Sequence, residues 1–437
     1  MWAVWSEMRG GNWDLYARVF ANGAWGPEQT VVSAPGSDIF HALAADESGR
    51  LFLVWQSFRD GQGDIYLSVH DGKKWGKATK VSESAANDWE PTVAVHNGRA
   101  TIAWDSYDDG DYDILMREWA DGKLGPPQTV VNTPSFEARP QALYDKQGRL
   151  WLTWEEGDAQ WGKDYVSGIY DAGMGLLMRR QPRVAVRENG VWKQPPGSLA
   201  DTLPEEFGQT MTTPRLALDG AGNPWVLFRY RTNTPTQGGD RYRTIWRQGA
   251  TSFQGGKWIP AVRFPAGFGR IDAPPAVALA PDGWLNVVWP SDGRTFPRGF
   301  AAEHDLYEGR IAPGPDAGAI PLVAFEAPTE SFPAVHPNEA ADVARMRGYR
   351  AKVGGKTLRI VRGDMHRHTD ISWDGNRDGS LFDCYRYAMD AAGMDYLGVA
   401  DHGAGEQIPY NYRLGQRGGP ADHPGALCAA LWLRAQS

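Results

Sequence analysis

At 437 residues the chain exceeds what one ordinary core fills, so two domains are expected. A formal net charge of −8, with no lysine or arginine run, excludes nucleic-acid binding as its main business. No stretch approaches the roughly 20 apolar residues of a membrane-spanning helix, and the two cysteines, Cys384 and Cys428, give no disulfide framework.

The start, Met1-Trp2-Ala3-Val4-Trp5, has neither the basic opening nor the apolar stretch of a secretory signal. It reads as the interior of a strand, so further upstream sequence is expected. A periplasmic or secreted location would follow if that upstream sequence carries a signal peptide.

The next 300 residues repeat. Trp5, Trp55, Trp104 and Trp154 recur every 49 or 50 residues, each at the end of an apolar run such as Leu53-Val54-Trp55. A second signal lies nine residues after the first three: Asp14-Leu15-Tyr16, Asp64-Ile65-Tyr66 and Asp113-Ile114-Leu115. Polar turns such as Arg59-Asp60-Gly61 separate the two signals, which is strand, hairpin, strand. Trp25-Gly26 and Trp75-Gly76 give a third signal, with Leu124-Gly125 as a weaker copy. A fourth is a strand opening Pro-x-x-Ala, at Pro91 and Pro214 and more loosely at Pro274. Trp225 to Phe228 and Leu285 to Trp289 end the fifth and sixth copies, and Asp305-Leu306-Tyr307 closes the last.

Four short strands in each unit of about 50 residues are the signature of a propeller blade. A single blade cannot bury both faces, whereas stacked blades can, with tryptophan supplying the area. The tryptophans, the turn aspartates and His41, His70 and His96 are therefore read as structural or surface residues. The pattern resembles bacterial six-bladed TolB-like or sialidase-like propellers, although Ser57-Phe58-Arg59-Asp60-Gly61 departs from the sialidase Asp-box. Six blades are expected over residues 1–311. An insertion is expected in the fourth repeat between Tyr165 and Pro214, with Arg179, Arg180, Arg183 and Arg187 either solvated or holding an anion.

Residues 312–350, rich in proline, alanine and glycine, read as a linker, with a short helix from Asn338 to Arg347. The pattern then changes. Leu358 to Val361 is expected as a strand, followed by a loop carrying His366 and His368. Ser380 and Asp383 form a capping-box pattern, and Leu381, Tyr385, Ala388 and Ala392 fall on one helix face, with Gly393 past the end. Asp395 to Ala400 is a second strand, with Asp401 and His402 after it. A strand, helix and strand in this order are expected to form a parallel, right-handed unit. Functional groups gather at the C-terminal ends of such strands, so His366, His368 and His402 are expected to converge as a metal site.

The run Gly363-Asp364-Met365-His366-Arg367-His368-Thr369, followed by Ser372 and Asp374-Gly375, resembles the first motif of the PHP (polymerase and histidinol phosphatase) superfamily. Trp373 is an extra residue within that motif. Ala400-Asp401-His402 resembles the second motif, with alanine where threonine is usual. The resemblance covers residues 358–403. It implies a β/α barrel, begun within residues 351–416, in which His366, His368 and His402 bind a cluster of Mn, Fe or Zn that hydrolyses a phosphoester. Asp364 and Asp401 would support the imidazoles.

The later motifs of that family find no room in the 35 residues after His402. Shifted by one base, the codons for the last dozen residues can spell Gly-Tyr-Glu, which resembles the next motif. Residues 417–437 are therefore expected to be an out-of-frame tail, and the chain as it stands is expected to have little or no hydrolase activity. Three readings stay open. The first is part of a PHP-type metal-dependent hydrolase joined to a propeller. The second is an amidohydrolase-type hydrolase, which also begins with His-x-His. The third is a propeller binding a protein, carbohydrate or other small molecule, with an inert α/β remnant.

Overall fold

A computed structural model describes residues 1–108, 110–159, 161–162, 175–177, 179–205, 207, 210–233, 244–269, 273–293, 305–327, 337–370, 372, 378–401 and 428–431. The chain is mainly β. Six consecutive antiparallel sheets form the blades of a propeller. The second is representative, with strands Asp38–Ala45, Leu51–Ser57, Asp64–His70 and Thr79–Lys80 in that order from its inner edge.

The repeated tryptophans organise each blade. Trp5 pairs with Tyr16, Trp55 with Tyr66, Trp104 with Leu115 and Trp289 with Tyr307 across the same antiparallel ladder. Trp55 and Tyr66 stack with centroids 5.9 Å apart. A buried indole N–H usually finds a hydrogen-bond partner. Trp55 Nε1 donates to Asp38 at 2.8 Å, and Trp104 Nε1 donates to Asp88 at 3.0 Å, each at the start of the innermost strand. Between blades, Trp104 packs with Phe52, Val54 and Ile65 of its neighbour.

Three expectations change. Arg180–Glu188 is the third strand of the fourth blade, paired along Leu150–Gly157, and Val191–Gln194 is its fourth. Part of the stretch read as an insertion is thus blade. Two of its arginines are committed there, while the Arg179 side chain is 59% exposed. Arg180 lies buried over the Phe136 ring, and Arg187 donates to Glu118 and Gln128. Second, the proline-rich segment after the sixth blade runs back beneath the fifth and fourth. Gly314 N donates to Asp219, and Val323–Ala324 joins Lys193 and Gln194 as a fifth strand.

Third, the first strand of the α/β unit is Gly363–Arg367, not 358–361. Residues 356–358 instead form a hairpin with Ala351–Val353, and Ile360 and Val361 are exposed. Gly363 decides this register. A Cβ there would collide with the carbonyl and ring of Tyr396, so only glycine lets the two strands approach.

Gly363–Arg367, Tyr396–Val399 and Cys428–Leu431 make a parallel three-stranded sheet. This is the α/β architecture seen among the described residues, and no β/α barrel is seen among them. Helix α1 (Glu339–Gly348) follows Asn338 as expected. Helix α2 (Leu381–Met389) carries the capping box: the Ser380 hydroxyl accepts from Asp383 N, and the Asp383 carboxylate accepts from Ser380 N. Gly393 is left-handed, at φ 57°.

Helix α2 is buried on two sides. Leu381, Tyr385 and Ala388 share a core with Leu397 and Val399 of the sheet and with Ile39, Phe58, Trp89, Tyr112 and Phe136 of the second to fourth blades. The α/β unit therefore sits on the propeller, against its inner strands.

Candidate functional site

Of the expected metal residues, His366 and His368 lie at the C-terminal end of the first parallel strand. His366 is exposed on the first parallel strand. Its ring centroid is 5.2 Å from that of half-buried His368, with the planes tilted by 39°. Asp364 Oδ1 accepts from His366 N at 2.8 Å. Asp401 accepts from Thr369 N at 2.6 Å and from Thr369 Oγ1 at 2.9 Å. In these contacts both carboxylates shape the main chain around the histidines. His402 lies outside the described residues. Among the described residues no three His, Cys, Asp or Glu side chains are grouped to hold a metal. Two adjacent imidazoles supply part of the three or four donors a zinc-type site requires.

A second convergence lies on the propeller axis, where sequence reasoning did not look. The innermost strands of the second, fourth and fifth blades are bulged, with register shifts at Ile39/Ala42, Ala138/Gln141 and Thr212/Arg215. The third blade is alike: Trp89 to Thr92 of its innermost strand, one residue longer, stand opposite Ala103 to Asp105. At each bulge one residue turns left-handed: Phe40 (φ 48°), Glu90 (34°), Arg139 (59°) and Thr213 (52°). Non-glycine residues in this conformation cost about 1–3 kcal/mol each and cluster at functional sites. All four line one cavity of about 220 Å³ that also touches Ser380, Phe382 and Asp383 at the start of α2. The sequence signal was the residue before Pro91, Pro140 and Pro214.

The cavity wall is held by charge. Arg139 uses its whole fork: Nε to Glu90 at 3.2 Å, Nη1 to Glu155 at 3.0 Å and Nη2 to Asp383 at 2.9 Å. Arg386 on α2 reaches back to Asp105 and to Glu90, the latter at 2.9 Å. Arg229 of the fifth blade pairs with Asp370 of the α/β unit at 3.1 Å. Asp383 and Arg386 on α2 and Asp390 at its C-cap are spaced i, i+3, i+7, so this charged face meets the propeller mouth.

Buried ions need this degree of pairing. Burial opposes ionisation of Asp383, yet Arg139, Arg180 and Arg386 hold its carboxyl well below the usual range. Burial likewise opposes ionisation of Glu90, and Arg139, Arg386 and Arg215 outweigh it. Burial lowers the pKa of Arg180 to about 10. It also lowers that of Arg215, with Arg139 acting in the same direction.

Asp390 behaves differently. It accepts from Asn87 Nδ2 at 2.5 Å, Trp89 Nε1 at 2.9 Å and the Tyr112 hydroxyl. Burial raises its pKa from 3.8 to about 6, against the opposing pull of Tyr112, Asn87, Arg386 and Trp89. A carboxyl raised on folding favours the folded state below its unfolded pKa, and that contribution is lost as pH rises through the folded value. We expect the stability difference between wild type and Asp390→Asn to fall by on the order of 1–3 kcal/mol between pH 4 and pH 7. Urea unfolding at both pH values measures it, and a flat difference would contradict the raised pKa.

No family model matches the chain, and no curated protein matches it. Among solved structures it is similar to a protein of unknown function from Dyadobacter fermentans DSM 18053, at 11% identity over 68% of this chain and 84% of that one, with a TM-score of 0.43. An ulvan lyase, described as a new family of polysaccharide lyase, matches at 11% identity over 65% and 74%, with a TM-score of 0.43. A Trypanosoma rangeli sialidase matches at 14% over 65% and 49%, with a TM-score of 0.38. None of these likenesses bears on what the chain does.

Proposed function

We propose that the chain is a propeller binding module whose axial cavity receives a small anion, with the α/β unit closing the mouth. The observation that carries this reading is the convergence of four left-handed blade residues and the start of α2 on one arginine-lined cavity. Strain repeated at one place in successive blades is maintained for what it surrounds. Calorimetric titration of the full chain with acetate, sulfate and a neutral polyol tests the reading. At least one anion should bind and the polyol should not. If no anion binds at millimolar concentration, the reading fails.

A second reading, a metal-dependent hydrolase of the PHP or amidohydrolase kind, is favoured by one observation. His366 and His368 lie side by side at the C-terminal end of a parallel strand, where such folds carry their chemistry. These two imidazoles would hold part of a Mn, Fe or Zn site, and the ion would acidify a bound water for attack on a phosphoester. Calorimetry with Zn should show binding that weakens at least tenfold in a His366→Ala/His368→Ala double variant. Equal affinity in the two proteins would eliminate this reading.

A further inference from the structure

We infer that the anion taken by the axial cavity is a sugar acid, a polyhydroxylated ring bearing one carboxylate, recognised by Arg215. This rests on the reading of the cavity as an anion site and specifies its ligand.

Arg215 is the cavity arginine that stands apart from the direct ion pairs, although its charge helps hold Glu90 ionised. Its Nη1 donates to the carbonyl of the preceding Pro214 at 2.9 Å, and among the described residues no carboxylate lies within ion-pair distance of it. A guanidinium carries five N–H donors in a planar fork that suits a carboxylate. Beside it, the hydroxyls of Thr212 and Thr213 are buried in the cavity wall without a hydrogen-bond partner. A buried polar group left unpaired loses its hydration without a replacement partner, so these hydroxyls also await a ligand. Glu90 spends Oε1 on Arg139 and Arg386, which leaves Oε2 to accept from a ligand hydroxyl.

The remaining wall is aromatic. Phe40 and Phe382 meet edge to face with centroids 5.0 Å apart, presenting apolar surface to a ring. The volume, about 220 Å³, is below the roughly 300–1,000 Å³ typical of pockets for drug-sized ligands. One ring fits this size better than an oligomer. A simple aromatic acid would satisfy Arg215 and the two phenylalanines but would strand both threonine hydroxyls. A neutral sugar would leave the guanidinium unpaired. A sugar acid answers all of them.

The probes are D-glucuronate, D-glucose and benzoate, titrated calorimetrically into the full chain and into Arg215→Gln and Thr212→Val. Glucuronate should bind and the affinity should fall at least tenfold in Arg215→Gln. Thr212→Val, nearly isosteric and free of any folding requirement for charge, should weaken glucuronate several-fold and leave benzoate unchanged. Glucose binding as tightly as glucuronate would overturn the role of Arg215. Benzoate binding as tightly would overturn the role of the hydroxyls. If acetate or sulfate binds while glucuronate does not, the ligand class fails and the anion site stands. If no anion binds at all, the underlying reading fails with it.

Discussion

Replacing Arg386 with alanine should destabilise the seat of the α/β unit by about 3–5 kcal/mol, the usual cost of stripping one partner from a buried ion pair. Arg386 is 1% exposed and Asp105 is fully buried, so the aspartate would keep its desolvation penalty and lose its counter-charge. Glu90 retains Arg139, so the damage should centre on Asp105. The guanidinium also lies 4.8 Å from the Trp89 ring centroid, a contact the variant loses. Urea unfolding gives the overall loss. Limited proteolysis near residues 350–362 should show the α/β unit released before the blades unfold. Adding Asp105→Asn should recover part of the loss, because no unpaired ion then remains. A loss below about 1 kcal/mol in the single variant would show that water reaches the pair.

Trp104→Ala should cost about 3–5 kcal/mol through the blades themselves. The indole is 1% exposed and wedged among Phe52, Val54, Ile65 and Leu67, and its truncation leaves a void that rigid strands cannot close. Asp88 simultaneously loses the indole N–H at 3.0 Å. Trp104→Phe should cost less, since it restores most of the volume and none of the hydrogen bond. Equilibrium unfolding of the three proteins separates the two contributions. If the alanine variant unfolds with the wild type, the tryptophan repeat is not what joins the blades.

The blades were legible because their grammar is local. A tryptophan, a turn and an Asp-x-Tyr nine residues on are one hairpin, and the hairpin forms wherever those residues occur. Legibility failed at Arg180–Glu188, where Trp154 faces Arg183 across the ladder instead of an aromatic residue. It failed again at the first parallel strand. Apolar Leu358 to Val361 looked like a strand but is exposed, and the true strand is polar and selected by the close approach at Gly363.

The candidate sites divide in the same way. His366 and His368 could be seen together because two residues of one strand suffice to bring them close. The axial residues could not. Phe40, Glu90, Arg139 and Thr213 share a backbone conformation and no chemical type, and they meet only when separate blades close around an axis. The apolar face Leu381, Tyr385 and Ala388 was readable on α2, but nothing in the chain's order says that a propeller mouth lies opposite its charged Asp383 and Arg386.

The short strand Val323–Ala324 has a consequence for that mouth. Pinned to the rim of the fourth blade, it fixes where the segment leading to α1 departs. From Phe325 to Asn338 the chain can reach at most about 45 Å even when fully drawn out. If the α/β unit lifts away, α1 remains leashed within that radius of the fourth blade, and α2 follows on the same tether at an effective concentration in the millimolar range. Because Phe382 of α2 is part of the ligand's wall, the tether keeps that half of the site at hand, and the ligand's apparent affinity should fall when the chain is cut between those two residues.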